Sequence, residues 1–109
     1  MRIVSRAELM AMPPGTLFHE WGPYDFGVLL IKGETCGTDF YTLALPNIEA
    51  HDSDELIERQ QRMDRDGASF PVDLECYGRD GMFDETARYA VWDPDDVAAL
   101  RAVLQRNED

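Results

Sequence analysis

Basic residues are scarce in this chain, and their scarcity argues against several classes of function. Ten Lys and Arg stand against twenty-two Asp and Glu in 109 residues, which gives a formal net charge of -12 at pH 7. Such a chain repels phosphate backbones and anionic lipids, so we expect it to bind neither nucleic acid nor a membrane directly. No apolar run reaches the roughly 18 residues of a membrane span, and the N-terminus lacks the zones of a signal peptide. We therefore expect a cytoplasmic protein.

Cysteine and histidine are also few. Cys36 and Cys76 are too few for a disulfide framework and form no Cys-x-x-Cys pattern, which suits a reducing compartment. His19-Glu20 and His51-Asp52 could form a metal site if the fold brought them together, but nothing in their spacing indicates that it does. We therefore expect no metal and no other cofactor.

Apolar residues are plentiful enough for a core. The chain is 44% hydrophobic and carries eleven aromatic residues, which argues against disorder despite the charge. Its length is that of one domain. We therefore predict a single acidic domain over residues 1–109, with no internal repeat, low-complexity stretch or linker.

Local patterns predict the order β-α-β-β-β-α-β-α. Alternating and β-branched segments predict strands at 2–4, 16–21, 27–32, 39–45 and 86–92, with a hairpin loop at 33–38. Helix start signals predict helices at 5–12, at 53–65 and from 94 onward. Because consecutive strands lack crossover helices, the prediction is an α+β fold: an antiparallel sheet of four to five strands with two to three helices on one face.

The last predicted helix has a recognisable start and an apolar stripe. Asp93 is placed to cap it, Pro94 takes its first position, and Asp95 and Asp96 suit the helix dipole in its first turn. Apolar residues recur at helical spacing, so we predict that they form a buried stripe. These residues are Val97, Leu100, Val103 and Leu104.

Two segments invite a chemical interpretation. Asp64-Arg65-Asp66-Gly67 resembles the start of a calcium loop, but the glycine comes at the fourth position where the loop needs it at the sixth, so an ordinary helix end is favoured. Segment 77–85 combines paired carboxylates with glycines and aromatic residues. It is open to three interpretations: a structural turn, a recognition loop, or, with the least support, an acid-base site.

The acidic residues concentrate in the second half of the chain. Residues 51–109 carry sixteen acids and seven bases, whereas residues 1–50 carry six acids and three bases. Helix capping accounts for some of them. The remainder could form a face that imitates a phosphate backbone and docks on a basic channel. Arg59, Arg62, Arg65 and Arg79 interleave with these acids, so the face is expected to be patchy.

Four blocks of the chain also carry a resemblance. Residues 12–18, 26–35, 66–71 and 77–85, which include the runs Met-Pro-Pro-Gly-Thr-Leu-Phe and Tyr-Gly-Arg-Asp-Gly-Met-Phe-Asp-Glu, resemble a family of short uncharacterised proteins from tailed phages and prophages. The resemblance implies a small viral protein that acts inside a bacterium. It brings no catalytic or binding residue with it.

Charge and resemblance together give the working hypothesis. The chain is predicted to be a non-catalytic inhibitor of a host nucleic-acid-handling defence protein, of the anti-CRISPR or anti-restriction type, acting by partial nucleic-acid mimicry. Its partner would be a host protein with a basic nucleic-acid-binding surface. The alternative is a small-ligand or metal-binding accessory module. The predicted contact residues are Asp64, Asp66, Asp73, Glu75, Tyr77, Arg79, Asp80, Met82, Asp84 and Glu85.

Overall fold

The computed structural model describes residues 1–106, which fall into two compact units. One unit comprises Met1–Ala44 together with the chain from Tyr77 onward, and the other is Leu45–Cys76. The strands are β1 Arg2–Ser5, β2 Leu17–Gly22, β3 Asp25–Phe26, β4 Leu29–Cys36, β5 Asp39–Leu45, β6 Gly78–Arg79 and β7 Arg88–Val91. The helices are α1 Arg6–Met10, α2 Ser53–Asp66 and α3 Pro94–Gln105.

The seven strands form one antiparallel sheet in the order β1-β7-β2-β4-β5-β6, with β3 paired to β2. The mixed, antiparallel character of the fold is as predicted, but the sheet is larger than the four to five strands expected. The two additional strands, β3 and β6, are two residues long each. Segments this short show no detectable alternation in sequence, and they become strands only by pairing with β2 and β5.

Strand β7 lies between β1 and β2 although it is far from both in sequence. Tyr89 lies opposite Val4 on one side and Glu20 on the other, and Val91 lies opposite Phe18. With neighbours on both sides, β7 is buried at Tyr89, Ala90 and Val91. This strand is therefore an interior strand of the sheet, and Tyr89 and Val91 belong to the core.

The hairpin between β4 and β5 is tighter than predicted. Strand β4 continues to Cys36, and the chain turns at Gly37, whose φ of 62° favours glycine. Gly33, which we expected in the loop, lies inside β4 and is buried. Residues 33–36, which were predicted in the loop, therefore lie on the sheet.

The core is a cluster of aromatic and aliphatic side chains from the sheet and α1. Phe18, Phe40 and Tyr89 meet edge to face with ring centroids 5.8 to 6.5 Å apart, an arrangement that aromatic rings prefer. Val4, Leu9 and Val91 complete the cluster. Although α1 has five residues, it is fixed by the predicted capping box between Ser5 and Glu8.

The two longer helices begin where the sequence predicts. Asp52 caps α2 through the Glu55 amide, and Gly67 ends it with a φ of 68°. Helix α3 starts at Pro94, and the Asp96 carboxylate accepts from the Asp93 amide. The predicted buried stripe of α3 is wrong, because Val103 and Leu104 are about half exposed and Val97 and Leu100 are partly exposed. Within residues 1–106 no helix is both long and apolar enough to span a membrane.

Candidate functional site

The ten predicted contact residues belong to both units. Asp64, Asp66, Asp73 and Glu75 lie in Leu45–Cys76, and the other six lie in the unit that contains the sheet. Asp64 and Asp66 occupy the last turn of α2 and are exposed, as is Glu75. The Asp73 carboxylate instead accepts hydrogen bonds from the backbone amides of Glu75 and Cys76, at 2.9 and 3.0 Å, and so fixes a turn.

Two of the three arginines of α2 make contacts within their own unit. The guanidinium groups of Arg59 and Arg62 lie 4.9 and 5.2 Å from the centroid of the Phe70 ring, close enough for cation–π attraction. Arg59 also pairs with Glu55 at 2.7 Å and donates to the Glu49 carbonyl. Leu45–Cys76 contains nine Asp and Glu against three Arg, and Arg59 is the one of the three with a salt bridge among the described residues. Most carboxylates of this unit therefore face solvent uncompensated.

The two charged residues at the start of segment 77–85 make internal contacts. The Asp80 side chain is 10% exposed, and its Oδ2 accepts from Arg6 Nη1 at 2.7 Å. Arg79 donates from Nε to Asp39 Oδ2 at 3.2 Å. The Gly81 amide donates to the same Asp39 carboxylate. Asp80 and Arg79 therefore tie their segment to β5 and α1, which is the structural role that the sequence left open.

Arg6 and Asp39 form the buried centre of this network. Arg6 is 4% exposed and Asp39 is 1% exposed, and Arg6 Nη2 lies 3.3 Å from Asp39 Oδ1. The Arg6 guanidinium also donates to the Thr38 carbonyl and lies 5.0 Å from the Phe40 ring centroid. Burial of these charges is tolerated because each has several partners.

The protonation states of the pair follow from these contacts. Burial raises the pKa of Asp39, but hydrogen bonds from the Phe40 and Gly81 amides and from Arg79 outweigh it, and the pKa lies below its ordinary value. Burial likewise lowers the pKa of Arg6, and its bonds to Asp80 and Tyr89 outweigh that effect and raise it. Asp39 is therefore ionised at neutral pH and cannot serve as a general acid.

Arg6 and Asp39 were not predicted as site residues, because their contacts join residues distant in the chain. One signal was available: Arg6 and Leu9 are three positions apart on α1, so they share the helix face that packs into the core. An arginine on such a face needs a buried carboxylate partner. No local pattern identifies Asp39 as that partner.

The rest of segment 77–85 is presented outward. Met82 is 69% exposed, Phe83 51% and Tyr77 40%, and Glu85 is exposed. Phe83 has a φ of 52°, which is unusual for a bulky residue and indicates a locally strained turn. The Asp84 carboxylate accepts from the hydroxyl and amide of Thr86, and these bonds lower its pKa. Phe83 and Glu85 border a cavity of about 650 Å³ beside α1.

The ring of His19 is held by hydrogen bonds within the fold. His19 Nε2 accepts from Trp92 Nε1 at 3.0 Å, so its Nδ1 carries the proton and donates to the Gly27 carbonyl at 2.9 Å. Both ring nitrogens are thus occupied. Across residues 1–106 no group of three or more His, Cys, Asp or Glu is placed to hold a metal ion.

The geometry thus divides the predicted contact residues into those with an internal task and those that face outward. Asp73, Arg79, Asp80 and Asp84 make internal hydrogen bonds or ion pairs, although Arg79 and Asp84 remain exposed. The other six residues, Asp64, Asp66, Glu75, Tyr77, Met82 and Glu85, are exposed as well. No protein family, curated protein or solved structure matches this chain.

Proposed function

We propose that this protein is a non-catalytic acidic inhibitor that binds the basic nucleic-acid-binding surface of a host defence protein, of the anti-CRISPR or anti-restriction type. One observation carries the proposal. In Leu45–Cys76 nine carboxylates accompany three arginines, and two of those arginines stack on Phe70. The unit therefore carries six more carboxylates than arginines, and its surface is acidic.

Such a surface favours a basic partner for two reasons. Opposite charge speeds the encounter and fixes orientation, and like charge rejects nucleic acid and other acidic proteins. A binding function without catalysis is supported by segment 77–85, where Asp80 makes a largely buried ion pair with Arg6 and the half-exposed Arg79 pairs with Asp39. The resemblance to phage and prophage proteins stated from the sequence motivates the cellular setting of this proposal and carries no evidence for its target.

The structure also changes which residues are best used to test the proposal. Reversing Asp80 would place a lysine against buried Arg6, so a loss of binding would be confounded by unfolding. Asp64 and Asp66 are better targets because they are exposed in the last turn of α2, where lysine interacts favourably with the helix dipole. Their reversal is expected to leave the fold intact.

The experiment compares two variants with equal change in net charge. Asp64→Lys with Asp66→Lys is set against Glu20→Lys with Asp25→Lys, which reverses two exposed acids in the other unit. The tagged proteins are used to capture partners from a lysate of a bacterium with active CRISPR and restriction systems. We expect the captured partner to be a nucleic-acid-handling protein whose association rate falls about tenfold or more from low to high salt.

Competition with nucleic acid completes the test. Duplex DNA should displace the protein from its partner, and the α2 variant should lose binding more strongly than its matched control. A partner that binds DNA and this protein at the same time would refute occlusion of its groove. Equal loss in both variants would show that total charge, and not the surface of α2, governs binding.

A further inference from the structure

The unit that contains the sheet also has a surface hollow that is separate from the ion-pair network of Arg6 and Asp39. A hollow of about 330 Å³ is lined by Pro14, Gly33, Glu34, Tyr41 and Tyr77. Gly33 lies in β4 and Tyr41 in β5, and Tyr77 immediately precedes β6. Adjacent strands of one sheet therefore hold its floor.

The glycine in this hollow is required by the position of a tyrosine. A Cβ at Gly33 would lie 3.0 Å from Cδ2 of Tyr77 and 3.1 Å from Cβ of Tyr41, which is closer than side chains ordinarily pack. The Tyr77 ring therefore rests directly on the backbone of β4, although the residue is 40% exposed. An exposed aromatic ring held in this way is prepared for contact without further ordering.

The lining favours a cation with an apolar stem. Tyrosine rings attract a cation placed over their faces, and Pro14 offers an apolar surface. Exposed Glu34 contributes negative charge at the rim, and the whole chain carries -12. Two cations of adjacent strand positions already have partners: Arg79, opposite Tyr41 in the ladder, donates to Asp39, and Lys32 donates to the Gly33 carbonyl and the Thr35 hydroxyl.

We propose that this hollow binds the side chain of a lysine or arginine of the protein partner, as a specific anchor within an interface that is otherwise attracted by charge. The identity of the partner rests on the proposed function, whereas capture of a basic side chain is a property of the hollow itself. Anions are disfavoured here by the carboxylate and by the tyrosine faces.

Two glycine substitutions give a matched test. Gly33→Ala adds a methyl group that displaces the Tyr77 ring. It removes no functional group from the residues that line the hollow. Gly78→Ala adds the same methyl group next to Tyr77 in sequence, where it meets nothing within 4 Å. The probes are the capped peptides Gly-Arg-Gly and Gly-Lys-Gly, with Gly-norleucine-Gly as the uncharged control, titrated against amide NMR spectra.

We expect saturable shifts at Gly33 and Tyr77 with both basic peptides and none with the norleucine peptide. Gly33→Ala and Tyr77→Leu should each weaken binding roughly twofold to thirtyfold, the range of a cation–π contact, and Gly78→Ala should leave it unchanged. Tyr77→Leu is at an exposed position, so it preserves the test if Gly33→Ala unfolds.

Several outcomes would overturn the inference. These are equal binding of the norleucine peptide, tighter binding of an uncharged proline peptide, shifts located elsewhere, or an unchanged affinity in Gly33→Ala and Tyr77→Leu. Failure of the proposed function is separable, because it is seen with the α2 charge variants. If the peptides bind in the hollow but no partner with salt-dependent binding is captured, the proposed function is refuted and the proposed binding site stands.

Discussion

Arg6 illustrates how a single residue determines the stability of this fold. Its guanidinium bonds Asp39 and Asp80, both largely buried, and lies between the Phe40 and Phe83 rings. Replacing it with methionine removes the cation paired with Asp80 and leaves the buried Asp39 carboxylate paired with the half-exposed Arg79. We expect Arg6→Met to lower the free energy of unfolding by roughly 3–5 kcal/mol, measured by urea denaturation.

Arg79 supplies the control for this prediction. It pairs with the same Asp39, but its side chain is 55% exposed. Water can replace much of that pairing, so Arg79→Met should cost about 1 kcal/mol or less. Adding Asp39→Asn and Asp80→Asn to Arg6→Met should recover part of the loss, because the buried charges are removed together. Similar losses for the two arginines would contradict this account of the network.

Lys32 gives a prediction about pH. It is 1% exposed, and its Nζ donates to the Gly33 carbonyl and Thr35 hydroxyl. Burial lowers the pKa of Lys32 below its ordinary value of 10.5, against a smaller opposing effect of Glu34. At pH values between the lowered pKa of folded Lys32 and its ordinary value of 10.5, the unfolded chain binds more protons than the native one. Stability from this group therefore rises with pH through that window.

Lys32→Met tests this sign. The difference in free energy of unfolding between the variant and the wild type should shift in favour of the wild type as pH rises from 7 toward 10. Comparing the two proteins at each pH cancels groups that titrate in both. Parallel curves would show that Lys32 has the same proton affinity in the folded and unfolded states.

At the scale of elements, helix length is a poor guide to importance here. Helix α1 has five residues and buries Leu9 completely, whereas α3 has twelve residues and leaves Leu104 57% exposed. We expect Leu9→Ala to cost about 2–5 kcal/mol and Leu104→Ala about 0.5 kcal/mol or less. Thermal unfolding of both variants would check this order, and a larger loss at Leu104 would mean that α3 is packed more tightly than its exposure indicates.

These elements also show what the sequence could predict. The helix starts at Ser5, Asp52 and Pro94 were predictable because a cap acts within four residues. Burial of the α3 stripe was not, because apolar spacing fixes which side of a helix is apolar but not what covers it. Strands β3 and β6 depend entirely on their partners, so no local pattern specified them.

The same limit applies to the candidate site. The acidity of Leu45–Cys76 was predictable by counting its charged residues, but no local pattern predicts that Arg59 and Arg62 contact the Phe70 ring. Asp80 and Glu85 look alike in sequence, and one is held by Arg6 while the other is exposed. Which acids are available to a partner is set by distant contacts, and only the fold resolves it.

For the whole molecule, the charge of -12 should make stability increase with salt. A protein held together by surface ion pairs would instead lose stability as salt is added. Raising NaCl from about 0.01 M to about 0.1 M shortens the Debye length from about 30 Å to about 10 Å and screens repulsion among the exposed carboxylates. The buried pairs of Arg6 are screened much less. We therefore expect the unfolding temperature to rise, with each 1 kcal/mol gained worth about 4–8 °C in a domain of this size.

A neutralised variant separates repulsion from other effects of salt. Asp54→Asn, Glu58→Gln, Asp64→Asn and Asp66→Asn together remove four exposed charges from α2, and this variant should start more stable and respond less to NaCl. Chloride is used because sulfate would strengthen apolar burial in both proteins. A fall in unfolding temperature on adding NaCl would mean that surface pairs such as Arg59 with Glu55 outweigh the repulsion. An equal rise in both proteins would place the effect of salt outside the α2 carboxylates.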